Sequence, residues 1–182
     1  EEEEESCPCI FEFLIEKIPD LCNFICKDPF VLSHSPACKL LIHIIPKTKE
    51  IPKDIYNTAE NLFGQIFKYP HHSLLHIHCC KIFSTILEKD KNVFNKIDIR
   101  EKIVWANKTL INDIGCVFWG PLYQLTKMII DSKTSFDSDC NGWDDYINKI
   151  FKEQDRIISS PYGGVLPKDK RGQDFLSTII IE

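Results

Sequence analysis

A proline corner between two amphipathic segments constrains the fold of this chain more than any other feature. Upstream of Pro70, apolar residues recur at three- and four-residue steps, which is the period of a helix with one buried face. Pro70 cannot extend that helix, and it disfavours the helical conformation at Tyr69. Ser73 can cap a second helix with the same apolar spacing. Residues 52–89 are therefore predicted to form a helical hairpin. The apolar residues at helical spacing are Ile55, Ala59, Leu62, Phe63, Ile66 and Phe67 before the corner, and Leu75, Cys79, Ile82, Phe83, Ile86 and Leu87 after it.

Shorter segments of the same kind precede the hairpin. One apolar face ends before Pro19 and another before Pro29, as expected where proline interrupts a helix. Ser35 followed by Pro36 reads as an N-cap and a first helical residue. The helix that they open is predicted to stop at Pro46.

Downstream of the hairpin, the pattern predicts further helices. Asp98 can cap one of them, and helical spacing is clear again over residues 122–130 and 143–151. Residues 131–142 are rich in Ser, Thr, Asp and Asn without core periodicity, and are predicted to be a loop. A second loop or tail is predicted from residue 159 to residue 172.

These segments together predict an all-α protein. No turn dipeptide separates two alternating apolar runs, and no strand–helix alternation is present. The fold class expected is an armadillo/HEAT-like helical repeat, or α-solenoid, of about eight helices. We expect an acidic disordered lead over residues 1–6, a helical-repeat domain over residues 7–158, and a loop-rich tail over residues 159–182. The lead begins with five Glu instead of Met, which favours a fragment of a longer solenoid.

Composition narrows the class of protein. An apolar fraction of 43% is enough to build a core. A net charge of −5 and the lack of a basic stripe argue against nucleic-acid and anionic-membrane partners. The nine cysteines are odd in number and lie mostly on apolar helical faces, where free Cys packs as a small hydrophobe. We therefore expect the protein to be in a reducing compartment. The cytoplasm is the expected location, and an additional nuclear location is left open.

Two clusters carry residue types used in catalysis or metal binding. The run from His76 to Cys80 contains imidazoles and thiols, the groups of a cysteine hydrolase, but neighbours in a helix point in different directions. Cys7, Cys9, Cys22 and Cys26 supply four thiols for zinc without the usual two-residue spacing. Core packing is the preferred interpretation of these thiols, so no catalytic residue, metal or cofactor is predicted.

Three stretches resemble a known family. Phe67-Lys68-Tyr69-Pro70 followed by Leu74-Leu75-His76 is similar to the corner motif of the SAPS family, the regulatory subunits of type-six Ser/Thr protein phosphatases. Val117-Phe118-Trp119-Gly120-Pro121-Leu122 is similar to a later Gly-Tyr-Met-Gly-His-Leu segment of that family, and Trp143 with Tyr146 and Glu153 is similar to its Trp-x-x-Phe helix. In this chain His72-Ser73 replaces the family's Asn pair, and Pro121 replaces its His.

The resemblance covers roughly residues 36–165 of this chain. It implies a non-catalytic scaffold that binds a Ser/Thr protein phosphatase catalytic subunit and directs its substrate choice. The alternative is a helical-repeat adaptor with an unrelated partner. The candidate partner-binding residues are Lys68, Tyr69, His71, His72, His76, Phe118 and Trp119.

Overall fold

The computed structural model describes residues 8–110, 119–136 and 138–160. In these ranges the chain is mainly helical and contains no strand, which confirms the all-α prediction. None of the helices in the described ranges combines the length and the apolar character needed to cross a bilayer. The chain divides into two compact units, Glu1–Trp143 and Asp144–Glu182.

The first unit contains eight α-helices in its described part. They are α1 (Pro8–Glu16), α2 (Ile18–Ile25), α3 (His34–Ile44), α4 (Lys53–Lys68), α5 (Ser73–Lys89), α6 (Val93–Lys96), α7 (Arg100–Leu110) and α8 (Trp119–Asp131). The second unit contains the last predicted helix. It runs as α9 (Trp143–Tyr146), whose first residue ends the first unit, then a π-helical segment (Ile147–Phe151), then α10 (Lys152–Ser159).

The helices of the first unit pack as neighbouring pairs. Helix α2 packs against α3, and α4 packs against α5. Between these pairs, α2 contacts α4 and α3 contacts α5, and α8 then packs on α5. Helix α7 adjoins α4 through the Glu60–Lys102 ion pair and through the rings of Phe67 and Trp105, whose centroids are 5.9 Å apart. In the first unit, α4 therefore has contacts with α2 and α7, and α5 has contacts with α3 and α8.

A phenylalanine cluster lies at the centre of the helical hairpin. Phe63 of α4, Phe83 of α5 and Phe94 of α6 are fully buried. Phe83 stacks on Phe94 with ring centroids 6.0 Å apart, and meets Phe63 edge-on at 6.5 Å. Burying each such side chain contributes about 1.5–3 kcal/mol. The apolar spacing in the sequence thus identified the buried face of both helices correctly.

Helix boundaries before the hairpin differ from the prediction. Helix α1 ends at Glu16, before Pro19 as predicted, but Ile18 begins α2 instead of ending the first helix. Pro19 therefore lies in the first turn of α2, where its missing N–H costs no helical hydrogen bond. Ser35 lies inside α3, which begins at His34, so Ser35 is not the N-cap. Its buried Oγ lies 2.7 Å from Nε2 of His78. Pro46 does not end the helical backbone, which continues as a 3₁₀ turn over Ile45–Lys47.

The loop after α8 is confirmed for its described residues, 132–136 and 138–142. Asp98 caps α7 as predicted, because its Oδ1 accepts a hydrogen bond from the Arg100 backbone N–H at 3.0 Å. The Arg100 guanidinium also donates to Asp98 Oδ2 and to the Ser138 carbonyl, and it lies 3.5 Å from the centroid of the Phe136 ring. These contacts hold the loop against the start of α7. The acidic lead and almost all of the predicted tail lie outside the described residues.

Candidate functional site

The α4–α5 corner forms a concave surface. Helix α4 ends at Lys68, and the Tyr69 N–H makes the last bond of the helix, to the Gln65 carbonyl at 2.9 Å. Residues 68–74 then line a pocket of about 510 Å³, which we call the corner pocket. This volume is in the range of sites that bind small ligands or anchoring side chains. The proline corner recognised in the sequence therefore also bounds a concave surface.

The N-cap of α5 is His72, whereas the sequence pattern had predicted Ser73. The Nδ1 atom of His72 accepts a hydrogen bond from the Leu75 N–H at 3.3 Å, so an imidazole replaces the usual hydroxyl. The His72 ring also meets Phe30 edge-on, with centroids 5.2 Å apart. His72 thus shapes the corner while lining its pocket.

Lys68 and Tyr69 share one partner, Asp28 in the loop after α2. The Lys68 ammonium and the Tyr69 hydroxyl both donate to the Asp28 carboxylate. The bond from Lys68, followed by that from Tyr69, lowers the pKa of Asp28, and Asp28 in turn raises the pKa of Lys68 and of Tyr69. Lys68 and Asp28 are solvent-exposed, so the ion pair itself contributes little to stability. Its effect is to fix the direction of two side chains at the rim of the corner pocket.

The other two histidines of the candidate set differ from each other. His76 is buried, and its Nε2–H donates to the Tyr69 carbonyl at 3.1 Å. Burial lowers the pKa of His76, which favours the neutral ring. His71 is exposed and lines the corner pocket. His71 is accordingly available to a partner, whereas His76 supports the corner from below.

The aromatic pair of the candidate set is not placed at the corner. Phe118 lies outside the described residues. Trp119 is the half-buried first residue of α8 and is not among the residues that line the corner pocket. Helix α8 meets α5 further along, where the Cys80 thiol lies 3.8 Å from the Pro121 carbonyl. The structure therefore brings together the five candidates between residues 68 and 76.

Sequence reasoning missed two contributors to the corner. Asp28 lies 40 residues before Lys68, and an isolated exposed Asp carries no periodic signal. Leu74 lines the pocket and is 36% exposed, and the neighbouring Ile77 is 48% exposed. Their positions off the apolar stripe of α5 were the available signal, because an exposed apolar side chain beside a pocket is typical of a contact surface.

The thiols and imidazoles of α5 are packed in the interior. Cys79 and Cys80 are buried. Burial raises the pKa of Cys80 to about 12, and it also raises the pKa of Cys79 well above its usual range. These thiols stay protonated at neutral pH, which disfavours nucleophilic attack. Cys26 donates weakly to the Thr58 hydroxyl at 3.6 Å. Among the described residues, no group of three or more potential ligands is arranged to hold a metal ion; Cys7 lies outside those residues, and the Cys9 side chain is likewise not described.

Comparison with known proteins adds no family assignment. No protein-family model, curated protein or solved structure gives a significant match to this chain. The corner pocket, its fixed Lys68 and Tyr69, and the exposed Leu74 are therefore the observations on which function has to be argued.

Proposed function

We propose that this chain is a non-catalytic protein-interaction scaffold that binds its partner at the corner pocket. The observation that carries the proposal is the fixed arrangement of Lys68 and Tyr69 on Asp28 beside the exposed Leu74. An aromatic ring, a cation and an apolar side chain at one concave place are the usual elements of a binding hot spot. Because Lys68 and Tyr69 already bond to Asp28, part of the cost of ordering these two side chains is met before binding.

The partner that we propose is a Ser/Thr protein phosphatase catalytic subunit of type six. Support comes from the resemblance of the corner sequence, residues 67–76, to the SAPS motif. In this proposal the scaffold presents the phosphatase to its substrates and supplies no reacting group. The buried, protonated thiols of α5 agree with a non-catalytic role.

We further propose that the helix pairs of the first unit are repeats of an α-solenoid. The pairs α2/α3 and α4/α5 would be successive repeats, with first helices adjoining first helices and second helices adjoining second helices, and α7 and α8 would continue the stack on α4 and α5. This is the nearest-neighbour stacking on which repeat proteins are built. A stack of this kind offers an extended surface around the corner pocket.

The experiment is an affinity pull-down of the tagged protein from its own cells, with mass spectrometry of the proteins retained. We expect the wild type to retain a type-six phosphatase catalytic subunit. Leu74→Asp places a charge in the pocket and should abolish retention. The matched control is Leu40→Asp, since Leu40 is 38% exposed on α3 and does not line the pocket.

Both variants need a circular-dichroism melt to establish that they fold. Retention that is lost in Leu74→Asp and kept in Leu40→Asp supports the proposed partner and its site. Retention that survives Leu74→Asp refutes the corner as the site. Recovery of other proteins without any phosphatase refutes the proposed partner.

One observation favours the alternative, an adaptor with an unrelated partner. Lys68 and Tyr69, which carry the resemblance, also hold the corner to the α2 loop through Asp28. A corner motif can recur because it builds the turn, whatever partner binds there. The same pull-down separates the two, because in this case the proteins lost on Leu74→Asp are not phosphatases.

A further inference from the structure

A second concave surface runs along the exposed side of α4. It has a volume of about 550 Å³ and is distinct from the corner pocket, with which it shares only Lys68. We call it the α4 groove. Its lining residues are Cys26, Asp28, Asn57, Glu60, Asn61, Gly64, Gln65, Lys68 and Lys102. The α2 loop therefore bounds one side of the groove, and α7 bounds the other.

The floor of the groove contains a glycine that packing does not explain. Gly64 lies in the interior of α4, where glycine is a poor helix former. A Cβ built at this position meets no other atom within 4 Å. No close approach of another helix therefore requires the glycine. Its consequence is an open strip of bare backbone that a partner's chain can approach closely.

Three carboxamides line the same side of the helix. Asn57, Asn61 and Gln65 follow one another at intervals of four residues, so they lie on one face of α4. The Gln65 Nε2 donates to the Asn61 Oδ1 at 2.7 Å, which orients these two side chains. Asn57 and Asn61 are exposed at the groove. The groove therefore presents the uncharged carboxamides of Asn57 and Asn61 to the solvent.

Gln65 also carries an unmet hydrogen-bonding group. The side chain is 7% exposed, and its Oε1 has no hydrogen-bond partner among the described residues. A buried acceptor without a donor is destabilising. Gln65 is one of the residues that line the groove. A bound molecule with an N–H group would supply that donor.

The charges at the groove are already paired. Lys68 bonds to Asp28, and Lys102 lies 3.8 Å from Glu60. No unpaired cation is left among these four residues to select a phosphate, and no unpaired carboxylate to select a cation. A neutral ligand with alternating N–H and C=O groups fits this surface best, and an extended polypeptide backbone has that pattern.

We propose that the α4 groove binds an extended peptide segment of a partner protein, chiefly through the peptide groups of its backbone. From Asn57 to Lys68 the helix advances about 16 Å, which matches about five residues of extended chain. The exposed carboxamides of Asn57 and Asn61 offer hydrogen-bonding groups to the segment, and Gly64 lets its backbone lie close to the helix. The proposal does not depend on the corner pocket or on a phosphatase.

The test uses a phage-displayed random peptide library panned on the purified chain. Peptides are counter-selected on Gly64→Leu, which fills the groove while its Cβ meets no neighbour. The best peptide is then labelled and its affinity measured by fluorescence anisotropy. We expect saturable binding to the wild type, a roughly tenfold loss with Asn61→Ala, and a larger loss with Gly64→Leu.

The matched control is Asn23→Ala, because Asn23 is an exposed helical Asn on α2 that does not line the groove. The selected peptide should bind Asn23→Ala with the same affinity as it binds the wild type.

N-methylation of single backbone amides in the peptide should weaken binding more than alanine replacement of the side chains does. A thermal melt of Gly64→Leu verifies the fold, and Gly64→Ala gives a second, smaller obstruction.

Several results would overturn the proposal. One is a library that yields no peptide discriminating the wild type from folded Gly64→Leu. Another is a selected peptide whose affinity is unchanged by Asn61→Ala or by backbone N-methylation. Leu74→Asp, at the corner pocket, should leave peptide affinity unchanged, so that failure here and failure of the proposed partner are separate results.

Discussion

Replacing Gly64 with alanine should stabilise the protein, although it changes a residue at a proposed binding surface. In the interior of an exposed helix, alanine is favoured over glycine by about 1 kcal/mol. The gain is expected in full, because the added methyl group meets no atom within 4 Å and the backbone already has helical geometry. Part of it arises in the unfolded chain, which is less flexible with alanine.

The size of this effect is measurable by urea unfolding followed by circular dichroism at the helical band. The midpoint should rise with the slope unchanged, and the melting temperature should rise by about 2–4 °C for a chain of this size. For Gly142→Ala, the urea midpoint and the melting temperature should instead decrease. Gly142 has φ +86°, and a Cβ there would lie 3.0 Å from the Lys108 Nζ. Left-handed geometry with a side chain costs about 1–2 kcal/mol.

The two glycine variants test the reasoning together. If Gly64→Ala were neutral or destabilising, α4 would not be an open helix at this position, and the space that defines the α4 groove would not exist. If Gly142→Ala were stabilising, the turn before α9 would have a different backbone conformation. Gly120→Ala should have an intermediate effect. A Cβ at residue 120 is also unobstructed, but Gly120 lies in the first turn of α8, so a smaller gain in the free energy of unfolding is expected.

Three further predictions follow from buried groups. Burial lowers the pKa of His34 and of His78 below 6.5. The unfolded chain therefore binds more protons than the folded chain when the pH falls to this range. The urea midpoint should be highest above about pH 6.5 and should decrease as the pH falls through and below that value. Arg100→Met removes the guanidinium that donates to Asp98 Oδ2 and to the Ser138 carbonyl, and should lower the free energy of unfolding by about 2 kcal/mol or more in urea titrations. Phe83→Ala should lower it by about 3–5 kcal/mol by the same measurement, because the fully buried ring is lost; a change below about 1 kcal/mol would contradict the described core.

Much of the helical content was predictable because it depends on local spacing. Apolar residues at three- and four-residue steps identified the buried faces of α4 and α5, and the polar composition of residues 131–142 identified the loop. Asp98 was recognised as a cap because its bond reaches only two residues along the chain. In each case the relevant interaction is made within a few residues of the pattern that predicts it.

Helix ends were predicted less well, because competing partners lie near each of them. Ser73 is a good capping residue, yet His72 precedes it and accepts the Leu75 N–H. Ser35 also has the chemistry of a cap, but its hydroxyl is engaged by His78, 43 residues away. A sequence pattern compares neighbouring residues as candidate N-caps, and it contains no information about a partner from another helix.

The sequence by itself determined that this is a helical protein with a proline corner, since those properties follow from side-chain period and backbone restriction. Only the tertiary structure brought Asp28 to Lys68 and Tyr69, and placed α2 and α7 on either side of the Asn57–Gly64 face. The reason is that both surfaces form between helices distant along the chain. Their residues become neighbours through tertiary packing, which no local spacing encodes.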